Sequence, residues 1–132
     1  MVRLAMHNGS SPTTKQWIAK AEEISSDYVE QILVNLRTGG LVQSHRGTRG
    51  GFSLARNAGE IVVEEVLEAM DGPLELAPCS SAECRRSTQC VTRSVWSRAE
   101  NALKEVFSAQ TVEDLAEEAK LREAAGMASF DI

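Results

Sequence analysis

Several things are missing from this 132-residue chain, and each absence excludes a class of protein. Aromatics are few, at three Phe, two Trp and one Tyr. No apolar run approaches the roughly 18 residues that a membrane-spanning helix needs. No secretory signal opens the chain, because Met1 leads directly into an amphipathic stretch, so the cytoplasm is the expected compartment. There are only three cysteines, an odd number that argues against a disulfide framework and for metal or redox chemistry in a reducing compartment. No CxxC pair is present and the two histidines, His7 and His45, lie far from the cysteines in sequence, which weighs against a thiol redox enzyme. Internal repeats are also absent. The length suits one small domain plus an extension, for which dimerisation would help bury enough apolar surface.

A positive net charge is missing too, and its distribution matters more than its total. The formal net charge is −5, yet residues 1–60 hold seven Lys/Arg against five Asp/Glu, while residues 61–132 hold seven against fourteen. All the acidity sits in the second half. The first half can therefore supply a local footprint for phosphates.

Met1–His7 reads as the last turns of a helix, stopped by Asn8-Gly9-Ser10-Ser11-Pro12. Thr13 or Thr14 can cap a second helix to about Glu22, with Trp17, Ile18 and Ala21 facing inward. Ser25 or Ser26 offers the next cap. From about Asp27 to Thr38, Val29, Ile32, Leu33 and Leu36 stand at i, i+3, i+4 and i+7, one buried helical stripe. Gly39-Gly40 ends it. Leu41–Ser44 and Phe52–Ala55 read as short strands around a turn rich in Gly and Arg. Ile61–Met70 reads as an amphipathic helix ended by Asp71-Gly72-Pro73, and a long helix runs from about Val91 to Phe107. Thr111 caps a last helix, with Glu113 and Asp114 near its positive end.

Helix, tight connection, helix and β-hairpin is the order of a winged helix-turn-helix. In that motif the second helix lies in the major groove and its N-terminal side chains meet base edges. Here those are Ser26, Asp27, Tyr28, Glu30 and Gln31. A carboxylate can accept from cytosine N4, and Gln can pair with adenine. His45, Arg46 and Arg49 in the wing, with Lys15, Lys20 and Arg37, suit phosphates or the minor groove. The same helix face alone would equally suit plain solvation; the Arg-Gly-Thr-Arg-Gly-Gly wing that follows favours DNA.

Cys79, Cys84 and Cys90 share one segment, with four and five residues between successive thiols. Structural zinc sites bring thiolates in tighter pairs, with a second pair elsewhere, and no second pair exists here. Loops that wrap an iron–sulfur cluster accept wider spacing. Neighbouring Ser and Gln could donate hydrogen bonds, and Arg85 and Arg86 add positive charge. Three inert cysteines, zinc binding and direct thiol oxidation stay open on spacing alone.

The run ISSDYVEQILVNLRTGGLVQSHRGTRGGFSLAR, then EVLEAMDGPLELAPC, then CVTRSVW resembles the iron–sulfur cluster regulator (IscR) family, with nitric-oxide-sensing repressors (NsrR) as near relatives. The likeness extends from about Ala5 to Ala116. It implies a fold that is mainly α with a small β-hairpin wing, a winged helix-turn-helix plus a long dimerisation helix. It implies a homodimeric transcription regulator, with no enzymatic activity, bound to a roughly palindromic double-stranded operator. Cys79, Cys84 and Cys90 would be ligands of a [2Fe–2S] or [4Fe–4S] cluster, Glu30 and Gln31 would lie on the recognition helix, and Arg46 and Arg49 on the wing. Val95, Ala99, Leu103, Val106 and Phe107 of the long helix would face a partner subunit. Two departures stand out. The family's cluster regulator has a histidine three residues after its last cysteine, where this chain has Arg93, which offers iron no lone pair. In nitric-oxide-sensing relatives an N-terminal carboxylate of the other subunit can ligate, and this chain begins too late to supply it, its first helix reading as truncated. The fourth ligand is therefore open: another residue, a water or a small thiol.

The expected organisation is residues 1–72 as the DNA-binding domain, 73–90 as the cluster loop, 91–122 as dimerisation helices and 123–132 as a frayed tail. A bound cluster would order Leu74–Gln89 and so set the long helix against the recognition helix.

Overall fold

A computed structural model describes residues 1–7, 11–80 and 83–126, with Ser80 described by its backbone alone. Within them are six helices: α1 (Val2–Met6), α2 (Lys15–Glu22), α3 (Ser26–Thr38), α4 (Val63–Asp71), α5 (Arg93–Ser108) and α6 (Val112–Ala124). One hairpin, β1 (Val42–His45) and β2 (Gly51–Leu54), stands between α3 and α4. The expected class, mainly α with a β-hairpin wing, is the observed one. No helix of the described residues is long and apolar enough to cross a membrane.

Local chemistry sets the helix ends. Thr14 Oγ1 accepts the N–H of Trp17 and Ser25 Oγ that of Tyr28, both at 3.2 Å, capping α2 and α3. Thr13 plays another part: its backbone exchanges two 2.8 Å hydrogen bonds with Phe52, adding an edge to the wing. Gly51 permits this approach, since a Cβ there would stand 2.7 Å from the Thr13 carbonyl oxygen at a φ of 151°. Between α2 and α3 the chain turns at Glu23, the one non-glycine residue of the described set with positive φ, at 55°.

Val29, Leu33 and Leu36 bury the inner face of α3, with Ile32 packed beside them. They meet Leu4, Ala19, Leu41, Val42, Ile61 and Val112 in one aliphatic cluster. The stripe expected for α3 is therefore the core stripe. Trp17 is corrected: it faces outward at 40% exposure, its ring edge-on to His7 with centroids 4.3 Å apart. The small Ala19 takes the inward position on α2 instead.

Ile61, fully buried, precedes α4 rather than opening it. The Val112 N–H donates to the Ile61 carbonyl at 2.8 Å and that of Val63 to Gln110 at 2.9 Å, holding Ile61 and Val62 extended beside Thr111. That ladder brings α6 back onto the first half, where it packs against α1. Arg3 links both ends, pairing with Glu22 of α2 and, at 2.6 Å, with Glu123 of α6. Helix α6 runs to Ala124 through the start of the expected tail; residues 127–132 lie outside the described set.

Candidate nucleic-acid interface and cysteine segment

Because the Val29–Leu36 stripe is turned inward, the opposite side of α3 is presented to solvent. Asp27, Tyr28, Glu30 and Gln31 are exposed and Ser26 is half-buried at the first turn. Tyr28 and Val34 are about half exposed, and Val34 is a member of this face that its apolar character hid in the sequence. Asp27 lies in the first turn, beside the positive helix end.

The hairpin pairs Val42 with Leu54 through His45 with Gly51. Arg46 and Arg49 are exposed in its tip. The tip turn is tight: Gly50 N–H donates to the Gly47 carbonyl at 3.0 Å, and a Cβ on Gly50 would stand 2.6 Å from the His45 carbonyl oxygen. His45 Nε2 and Ser53 Oγ are hydrogen-bonded at 2.7 Å across the strands. A groove of about 440 Å³ separates α3 from the wing, with Lys15, Glu30, Arg37, His45 and Gly47 in its walls. Helix α3 and the wing thus share one concavity. Lys20 is exposed on α2 and outside that groove's lining.

Lys15 is not a free cation in this groove. Its Nζ pairs with a Glu30 carboxylate oxygen, across the turn from α2 to α3. Two residues singled out separately, one for phosphate and one for a base, are thus partners of each other.

Among the described residues of the cysteine segment, Pro78–Ser80 form a 3₁₀ turn and residues 85–89 two overlapping turns, closed by Ser87 N–H to Cys84 O and Gln89 N–H to Arg86 O at 3.0 Å. Cys79, Cys84 and Cys90 are free thiols, all half-buried. No three Cys, His, Asp or Glu side chains of the described residues stand together closely enough to share a metal ion. The thiols are on one segment but not gathered. Cys90 is set apart chemically. The Thr92 hydroxyl, 3.3 Å from its sulfur, holds its thiol below the ordinary range, helped by the backbone N–H groups of Thr92 and Arg93 and the charge of Arg86. Burial opposes them weakly. A thiolate is the form that binds metal and reacts with oxidants. As donors, cysteine sulfurs fit iron or zinc; Arg93, on α5 just beyond, does not.

Helix α5 carries two apolar faces. Leu103 and Phe107 are half-buried, and Phe107 shares a cavity wall with Leu67 and Leu74. Phe107 therefore packs within the chain. Val95, Ala99, Ala102 and Val106 recur at i, i+4, i+7 and i+11, and of these only Ala99 is half-buried. The five-residue set expected for a partner divides between these faces. Glu100, unremarked in the sequence, is buried on this helix, where its Oε1 accepts the Leu76 N–H at 2.8 Å.

Residues 1–118 match the Rrf2 family, described as an iron-dependent transcriptional regulator. The transcriptional regulator IscR of Photorhabdus laumondii is 32% identical over 132 aligned residues, covering 99% of this chain and 80% of that one. Among solved structures, that of CymR, the global cysteine regulator of B. subtilis, superposes with a TM-score of 0.76 at 33% identity, covering 89% of this chain and 87% of its own. The IscR of T. potens superposes with a TM-score of 0.73 at 32% identity, covering 89% and 78%. The fold, the wing and these matches agree: the chain belongs to the Rrf2 family of DNA-binding transcriptional regulators, which are not enzymes.

Proposed function

We propose that this regulator binds a roughly palindromic operator as a homodimer, with operator affinity set by an iron–sulfur cluster on Cys79, Cys84 and Cys90. The observation that carries the DNA reading is the shared groove. Glu30, Val34 and Arg37 of α3 and His45, Gly47 and Gly50 of the wing line one concavity, with Arg46 and Arg49 exposed at the wing tip, an arrangement that suits a helix entering the major groove beside a phosphate-seeking wing. Glu30 and Gln31 would meet base edges together with Ser26, Asp27 and Tyr28, while Arg46, Arg49 and Lys15 would meet phosphates. The exposed Val95–Ala99–Ala102–Val106 stripe suits a second copy, because a two-fold dimer buries the same patch on both subunits. Half-sites would then lie one helical turn apart, about 10–10.5 base pairs, or a multiple of it.

When bound, a [2Fe–2S] or [4Fe–4S] cluster would supply a centre responsive to nitric oxide, oxygen or iron supply. The chain's own part is to offer three thiolates on one segment and to fold that segment against α5. Since the thiols are not gathered, holding a cluster would draw residues 79–90 together, and the fourth ligand would come from outside the three.

One observation favours a second reading, direct thiol sensing. The Thr92 hydroxyl and neighbouring N–H groups hold the half-buried Cys90 thiol below its ordinary range, so oxidation could change the segment without a cluster. Zinc on the same thiols is a variant of it. Visible absorption and Mössbauer spectra of anaerobically purified protein separate the readings. Iron and sulfide bands that vanish in Cys84→Ala support the cluster. Colourless protein that resists reconstitution, yet binds DNA in a thiol- or zinc-dependent way, supports the second reading.

A further inference from the structure

Glu100 is the one buried charged side chain among the described residues, at 8% exposure. A carboxylate out of water is retained only where hydrogen bonds satisfy it. Part of that role falls to the Leu76 N–H, at 2.8 Å. Leu76 belongs to no helix or strand; it lies three residues before Cys79. After it, Ala77 is buried and the Pro78–Ser80 turn packs on α5. The entry to the cysteine segment is therefore fastened to the middle of α5 at the Glu100 carboxylate.

The position of Glu100 along α5 gives the fastening a direction. It follows Ala99 and precedes Ala102, the two central members of the exposed apolar stripe. A displacement of Leu76 would therefore act on the helix at the level of that stripe. We propose that Glu100 is a positioning residue: it transmits the state of the cysteine segment to the apolar face of α5, and through that face to the separation of the two recognition helices. This inference rests on the proposed cluster reading, in which the segment is the sensing element.

The test compares wild type, Glu100→Gln and Glu100→Ala in two measurements. The first is amide hydrogen exchange in the metal-free protein, which does not depend on any cofactor. Glu100→Ala should unprotect the Leu76 and Ala77 amides while leaving α3 protected, and Glu100→Gln should restore protection, because its amide oxygen accepts the same bond. The second is operator affinity with and without anaerobic loading by ferrous iron and sulfide. Wild type and Glu100→Gln should keep a loaded-to-unloaded ratio within the 5–150-fold span typical of coupled sites, about tenfold or more. In Glu100→Ala the ratio should fall toward one, with both forms still binding DNA. Should Glu100→Ala fail to fold, Leu76→Pro removes the same bond from the donor side; proline has no N–H, so exchange is then read at the Ala77 amide, beside the same affinity ratio.

Unchanged exchange at Leu76 in Glu100→Ala, or a full ratio in that variant, would overturn the proposal while leaving the sensing segment intact. A ratio of one in the wild type, with Leu76 exchange still responsive to Glu100, would overturn it differently. The segment would not sense through a cluster, and Glu100 would be a structural anchor only.

Discussion

The pairing of Lys15 with Glu30 makes a quantitative prediction about DNA recognition. The two side chains are 30% and 54% exposed, so the pair stabilises the free protein by about 0.2–1 kcal/mol, the range for solvent-screened ion pairs. On DNA, Lys15 can neutralise a phosphate only by loosening from Glu30. Glu30→Ala removes that competition in each half of a dimer, which at about 0.4–2 kcal/mol in all raises affinity for random duplex by about 2- to 30-fold. Two released lysines also steepen the dependence of log affinity on log salt by up to about 1.8, at 0.9 per phosphate. The same change deletes a cytosine acceptor. A single contact at the low end of base discrimination, about 1 kcal/mol per half-site, lowers the operator-to-random ratio by about 30-fold per dimer. The assay is fluorescence anisotropy between 50 and 200 mM salt, using an operator selected with the wild type and a random duplex. Lys15→Ala and the double variant complete the cycle, in which the two changes should be non-additive. Equal weakening on both duplexes with an unchanged salt slope would refute the reasoning.

Three further outcomes follow from other sites. Thr92→Val removes the hydroxyl that most favours the Cys90 thiolate. Alkylation of Cys90 should then lose rate at neutral pH and its midpoint should rise toward the ordinary thiol value, about 8.5; an unmoved midpoint would mean that the hydroxyl has no such role. Ala102→Glu sets two carboxylates against each other on the α5 stripe and should yield a folded monomer by sedimentation with much weakened operator binding, whereas a persistent dimer would place the interface elsewhere. Ile61, with no exposed surface, should cost about 2–5 kcal/mol when cut to Ala, read as a lower urea midpoint; a loss under 1 kcal/mol would contradict the core described here.

Much of the first half was legible because its signals are local. The Ser25 cap, the Val29–Leu36 stripe and the Arg-Gly wing each depend on residues a few positions apart. Other features depend on elements far apart in the chain. Thr13 looks as good a cap as Thr14 until Phe52 is seen to pair with it, and that pairing also explains why Gly51 is needed. Trp17 looks like a core residue because it is large and apolar, yet the core beside α2 takes Ala19. On α5 the apolar positions were plain, but periodicity does not say which face meets the chain's own α4 and which is left exposed. Glu100 looks like any solvated acid until Leu76 arrives beside it. The return of α6 onto α1 left no local signal, because it rests on the backbone ladder between Ile61 and Val112.

The most direct test of regulation by the cysteine segment is operator affinity of the anaerobically purified protein, before and after treatment with an iron chelator, with Cys84→Ala alongside. Control by a cluster requires that affinity shift by about 5–150-fold on iron removal, and that Cys84→Ala, folded and dimeric, stay at the iron-free value throughout. One affinity shared by iron-loaded, iron-free and Cys84→Ala protein would contradict it, leaving a DNA-binding regulator whose cysteines do not govern it.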